Sequence, residues 1–236
     1  MIRLRGTEPF ATGGRRWCYE HPGDPGRCIK VLRTDEGRYI KTGRTVVPSW
    51  MRREYDNNED ERRSLVALQR RLGEDYRHLP ACDGYVETDL GRGLVLGLVR
   101  DADGRIARSV REALRDGVPL SELRPAYDEM AAYFVSRGVL TRAILDHNLT
   151  AEDLGGGSWR VTLIDGFGDR AWVPLRGLIP ALRKKTARER TARGWARIEE
   201  MAEKIASGAA FDRSRWGQGI LDHRGGGSMS SEEASA

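Results

Sequence analysis

A single lysine inside a short apolar run, Arg27-Cys28-Ile29-Lys30-Val31-Leu32, sets the tightest condition on this chain. The run has the length and β-branched content of a strand, and it follows the turn-dense stretch His21-Pro22-Gly23-Asp24-Pro25-Gly26. Of the 40 basic residues only 5 are lysine: Lys30, Lys41, Lys184, Lys185 and Lys204. A chain that writes nearly all its positive charge as arginine has kept a lysine between Ile29 and Val31. Lysine is a compact point charge on a flexible stem, suited to reaching one phosphate or carboxylate. In an apolar setting that charge is costly unless it is paired. Either the run is an edge strand whose lysine points to water, or the fold brings a carboxylate to it.

The remaining pattern can be searched for that carboxylate. Residues 1–47 read as an antiparallel meander, with a strand near Ile2–Leu4, a glycine turn at Thr12-Gly13-Gly14, a strand over Arg15–Glu20 and then the Lys30 strand. Residues 34–48 are polar, with two glycines, and read as a loop. Pro48 and Ser49 can open a helix. Glu61, Leu65, Leu68 and Leu72 are spaced 4, 3 and 4, which puts all of them on one helical face before Gly73. Glu61 is therefore either the partner of Lys30 or the solvent edge of an apolar stripe. Residues 82–100 read as a hairpin, with Tyr85–Thr88, a turn at Asp89–Gly93, and a second strand, Leu94–Val99, buried on both faces. Asp101-Ala102-Asp103-Gly104 turns out of it.

Beyond that turn, residues 105–140 read as helical, with a stripe at Leu123, Tyr127, Met130 and Phe134 closed by Gly138. Residues 141–170 read as two strands, Ala143–Leu145 and Trp159–Ile164, around an acidic loop, Asp146–Asp153. Gly155-Gly156-Gly157 makes a turn, and the second strand ends in Asp165-Gly166-Phe167-Gly168. Residues 171–207 read as a basic helix, and 208–236 have the composition of a disordered tail.

Composition removes several classes. The three cysteines, Cys18, Cys28 and Cys82, are odd in number and lack CxxC spacing, which argues against a disulfide framework and a zinc site. Cys18 and Cys28 flank a turn and could face each other across a hairpin. His147 has no second histidine near it to share a metal. The net charge is +5, and the basic stretch 183–197 is interleaved or followed by Glu189, Glu199 and Glu200, which argues against a nucleic-acid surface. No apolar run reaches 18 residues and no leader-like apolar segment opens the chain, so a cytoplasmic protein without a membrane span is expected.

The order of these parts resembles a protein-kinase-like fold: a glycine turn between strands, a lysine strand, a helix with an inward Glu, an apolar strand leading to a hinge, and an Asp-containing glycine motif. The segments MIRL, TGGR, CYEHPGDPGRCIKV, GYVETDLGRG and DADG resemble, more specifically, the YrbL family of PhoP regulatory network proteins, a small kinase-like family of bacteria, from residue 1 to about residue 200. The resemblance implies a two-lobed α+β fold. A small antiparallel β lobe would span about 1–100 and a reduced helical lobe about 101–207, with ATP and Mg²⁺ between them.

Carried over by residue, the resemblance places Gly13 and Gly14 over the phosphates and Lys30 on them. Glu61 is then the helix partner of Lys30, with Glu54 and Glu59 as competitors. Asn148–Leu154 falls where kinases read D-L-K-P-x-N-I, so Asn148 stands at the catalytic base and Asp153 at one metal ligand. Asp165 stands at the other, and Asp146 is a second candidate for the base. An amide is not basic near neutral pH, so Asn148 cannot accept a hydroxyl proton. Two functions remain open. One is a kinase-type phosphotransferase in bacterial regulation, acting on a small molecule or a protein. The other is a pseudokinase module that binds a protein partner without transferring phosphate. The oligomeric state is open as well.

Overall fold

The computed structural model describes residues 1–13, 15–34, 57–142, 144–168, 179–208 and 222–223. The first group of elements is an antiparallel sheet of β1 (Ala11–Thr12), β2 (Arg16–His21), β3 (Asp24–Leu32), β4 (Cys82–Thr88) and β5 (Gly91–Gly97), with helix α1 (Asn57–Leu72) across one face. The strand order is β4-β5-β3-β2-β1, and a two-residue strand, Asp222–His223, pairs with β1 outside it. The lysine strand β3 is thus central and not an edge. Alternation along it sends Ile29 and Val31 to the outer face, where they pack with Leu4, Tyr19 and Val95. Cys28 faces the other way, into a core shared with Leu94, Leu96 and the α1 residues Leu65, Leu68 and Leu72. Lys30 follows Cys28 by two residues and shares that inner face.

The N-terminal strand expected near Ile2–Leu4 is not formed. Ile2 makes one isolated parallel bridge to Thr88, and the Leu4 N–H donates to the Asp89 carboxylate at 2.7 Å. A side chain in the β4–β5 turn satisfies this backbone, so no ladder is needed. Cys18 stands opposite Lys30, and Cys28 opposite Glu20, so the two thiols do not face each other directly; all three cysteines are free. The expected helix start at Pro48-Ser49, most of the 34–48 loop, and nearly all of the 208–236 tail lie outside the described residues.

The second group of elements is helical, with one small sheet. Strand β6 (Arg108–Ser109) leads into α2 (Val110–Arg115) through a capping box of Ser109 and Glu112. Helix α3 (Leu120–Arg137) buries Leu123, Tyr127, Met130 and Phe134 and ends at Gly138, whose φ of 60° is the left-handed conformation that stops a helix. Strands β7 (Leu149–Gly155) and β8 (Ser158–Leu163) follow a short 3-10 turn at Asp146–Asn148, and α4 (Pro180–Ala206) packs on α3. The packing is close at Gly194, where an added Cβ would lie 2.6 Å from the Tyr127 hydroxyl and 2.7 Å from Ile144.

Three expectations fail in this lobe. Ile144 and Leu145 are not in a strand (Ala143 lies outside the described residues), and the second half of the acidic loop is strand β7. Leu149, Thr150 and Ala151 pair with Leu163, Thr162 and Val161, so the ladder partner of β8 lies after Asp146 and not before it. The short strand β6 also stands where helix was expected. No described helix is long and apolar enough to cross a membrane.

Candidate functional site

Helix α1 is held against β3 by polar bonds as well as by leucines. The Lys30 ammonium donates to Glu61 Oε1 at 2.8 Å and to the Ile164 carbonyl at 2.9 Å. Asn58, one helical turn before Glu61, donates from Nδ2 to the Lys30 carbonyl at 2.9 Å. Glu61 is therefore the partner that the apolar lysine strand required, and it is only 5% exposed. Burial lowers the tendency of Lys30 to stay charged, but Glu61 together with Asp165 and Cys18 outweighs it and raises the lysine's pKa. Of the competitors, Glu59 is held by Arg62, Arg63 and the Tyr85 hydroxyl, which bring its carboxyl down to about 2. Glu54 lies outside the described residues.

A further cation sits in the same cluster. Arg16, the first residue of β2, is 8% exposed. Its Nη1 donates to Glu61 Oε2 and to Asn58 Oδ1, and its Nη2 donates to Asp165 Oδ2 at 2.7 Å. The Gly13 N–H donates to the Arg16 carbonyl at 2.8 Å, which closes the turn that aims this side chain inward. That bond also takes up the Gly13 N–H, so Gly13 is not a phosphate donor here; Gly14 lies outside the described residues. Asp165 Oδ1 accepts the Gly166 N–H at 2.6 Å. Burial alone would push the Asp165 carboxyl up, but Arg16 and Lys30 overcome it and hold it at about 2. Sequence reasoning missed Arg16. The available signal was alternation: Arg16 and Cys18 lie on the same side of β2, and Cys18 faces Lys30.

The three remaining candidates separate. Asn148 ends the 3-10 turn, and its carbonyl accepts the Ile164 N–H at 2.8 Å, so it flanks Asp165. Asp153 does not come near it. It pairs with Trp159 at the far end of the hairpin, donates its N–H to Asp101 and accepts the Gly155 N–H at 2.8 Å. Four strand residues lie between it and Asn148, about 15 Å at the rise of a β-strand. Asp146 is buried against Arg111, whose Nη2 donates to Oδ1 at 3.0 Å and also meets His147 Nδ1 at 3.1 Å. Burial alone would raise the Asp146 carboxyl, yet bonds from His147 and Arg111 hold it at about 2. A carboxylate fixed in this way is not placed to accept a substrate proton. Among the described residues, no three His, Cys, Asp or Glu side chains converge as a metal set.

The basic face of α4 borders a cleft of about 430 Å³ lined by Arg142, Arg190, Arg193, Arg197 and Glu189. Arg190 donates to the Thr141 carbonyl, and Arg193 faces Glu189 at 3.9 Å, so this face carries acidic and backbone partners of its own.

A central-strand lysine held by a helix glutamate and facing an Asp-Gly segment at the end of a hairpin defines a two-lobed protein-kinase-like fold. Within that class the chain belongs to the YrbL family: the family described as PhoP regulatory network protein YrbL matches residues 2–202. Protein YrbL of Escherichia coli (strain K12) is 28% identical over 183 residues, covering 74% of this chain and 77% of that one, and YrbL of Shigella flexneri matches with the same figures. Among solved structures, two mutant forms of the Mycobacterium tuberculosis PknI kinase domain are similar. One has 16% identity and a TM-score of 0.43, covering 86% of this chain and 71% of that one. The other has 18% identity and a TM-score of 0.38, covering 64% and 54%.

Proposed function

We propose that this chain is a nucleotide-binding regulatory protein of kinase-like fold, with the phosphates of ATP as its ligand and, among the described residues, no side chain placed to accept the proton in phosphoryl transfer. The observation that carries the reading is the buried Lys30–Glu61 pair, which Arg16 joins to Asp165 at the end of the β7–β8 hairpin. An ammonium has three donors, and Lys30 uses two of them on Glu61 and Ile164, which leaves one N–H for a phosphate oxygen. Glu61 keeps the lysine charged and extended, and Arg16 adds a second positive group beside it.

Phosphoryl transfer needs a further group to orient or deprotonate the acceptor hydroxyl. Asp146 is committed to Arg111, and Asn148 is an amide. Kinases read D-x-x-x-x-N across this loop, and we read Asn148, which flanks Asp165, as that asparagine, so the base position falls on Ala143, an alanine in this sequence. The nucleotide is then an effector, and the output is a contact with a protein partner. This assigns the family's regulatory character to binding.

A thermal-shift titration with ATP, on the parent chain and on Lys30→Ala, tests the reading. A ligand at a hundred times its Kd stabilises by about 2.7 kcal/mol, a shift of several degrees for a chain of this size. The shift is expected in the parent and lost in Lys30→Ala, with no γ-phosphate released above the rate in buffer. An equal shift in both proteins would remove Lys30 from the site, and steady phosphate transfer would restore the phosphotransferase reading.

A further inference from the structure

We infer that Arg16 takes the place of a divalent cation in this site, so that a nucleoside di- or triphosphate is bound without Mg²⁺. The inference rests on the nucleotide reading above and concerns what neutralises the phosphates. Mg²⁺ requires near-octahedral oxygen coordination and usually takes one or two carboxylates besides phosphates and water. Of the two ligands that the kinase pattern would supply, one falls to Asn148, a neutral amide beside Asp165, because Asp153 is held at the far end of the β7–β8 hairpin. The other, Asp165, already has an N–H on each oxygen: Gly166 at 2.6 Å on Oδ1 and Arg16 at 2.7 Å on Oδ2. A metal ion at Asp165 would sit against a guanidinium that cannot shed its proton.

The charge count points the same way. Lys30 and Glu61 with Asp165 alone would leave one negative charge, an invitation to a cation. With Arg16 the four side chains are neutral as a set, and an entering metal would find no excess negative charge to offset. An entering polyphosphate would find two cations, one of them a planar fork suited to two phosphate oxygens. Arg16 is also positioned in advance, since Glu61 and Asn58 fix its Nη1 side while Nη2 points across the cleft. On binding, phosphate oxygens replace the Asp165 carboxylate as the partner of Nη2.

The test is calorimetric titration of ATP into the full chain, once in excess EDTA and once in excess Mg²⁺. The expected affinities agree within about threefold, or favour EDTA, where ATP carries its full charge. Binding about tenfold or more weaker in EDTA would overturn the inference, because Arg16 would then yield its place to the metal. Absence of binding in both buffers would overturn the nucleotide reading and this inference together, a pattern distinct from loss in EDTA alone. Arg16→Gln removes a charge-assisted bond and is expected to weaken ATP binding in EDTA about tenfold and to introduce a dependence on Mg²⁺. If that variant does not fold, Mn²⁺ with ATP and the parent chain gives a second readout. Water-proton relaxation should match that of Mn²⁺–ATP without protein, and an enhancement would place the metal in the site and overturn the inference.

Discussion

Asp146 and Asp165 are both carboxylates bound by arginine, and both are held at about 2, yet the two pairs do opposite things. The Arg111–Asp146 pair joins α2 to the 3-10 turn inside one lobe, with side chains 9% and 7% exposed. The Arg16–Asp165 pair joins β2 of the sheet to the segment after β8, from one lobe to the other, and the Asp165 side chain is 43% exposed. A pair sealed within one lobe can only hold that lobe's parts in register. A pair that joins the two lobes and reaches solvent can exchange one partner for a ligand. Titration alone does not tell a structural carboxylate from a functional one; the elements it joins and its access to solvent do.

The largest effect should come from breaking the sealed pair. Arg111→Ala leaves the Asp146 charge buried without its main partner, and removing one member of such a pair costs about 3–5 kcal/mol. Urea unfolding should show that loss, while ATP affinity of the protein that remains folded is unchanged. A loss of ATP affinity without loss of stability would reverse the roles given to the two pairs.

A smaller effect, of a different kind, is expected across the cleft. Asp165→Asn should change stability by less than about 1 kcal/mol, since the carboxylate is well exposed and Arg16 keeps Glu61. Its ATP affinity in EDTA should hold or rise, because a negative charge facing the phosphates has been removed. A carboxylate that ligates a metal would give the contrary result, a steep loss in Mg²⁺. This measurement therefore separates a cleft neutralised by arginine from one neutralised by metal.

The same division explains which features could be read from the sequence. Glu61, Leu65, Leu68 and Leu72 declare themselves by helical spacing, and all four are buried. Lys30 declares itself because a charge in an apolar strand demands a partner, and that partner stands where the stripe predicts. Asp153 was misplaced because its position was counted along a motif, whereas its place depends on hairpin register. The pairing of Leu149 with Leu163 moves Asn148 beside Asp165 and carries Asp153 away. Asp146 could not be judged at all from the chain, since its partner Arg111 lies 35 residues earlier. Arg16 was legible in principle, from alternation on β2, but one arginine among many gives no signal until the sheet is assembled.

The last test is the dependence on pH, and it asks whether two carboxylates of equal acidity act alike. Asp146 ionises at about 2 in the folded chain against an ordinary 3.8, so folding favours its charged form. A depressed folded value contributes stability that is present above the unfolded pKa and is lost as pH falls through the folded one. The window is therefore about pH 4 down to pH 2, and a shift of this size corresponds to about 2 kcal/mol. Arg111 and His147 are the charged or titratable groups facing it, and Asp146→Asn keeps an acceptor for Arg111 while removing the titration. That variant should start less stable at neutral pH and lose less stability on acidification than the parent. Asp165 has the same depressed value, but solvent screens a side chain 43% exposed, so Asp165→Asn should leave the acid slope nearly as it was. Equal flattening in both variants would show that the pair across the cleft is as much a structural clamp as the sealed one. The exchange of Asp165 for phosphate at Arg16 would then be costly, and the ATP site would have to open at the expense of the fold.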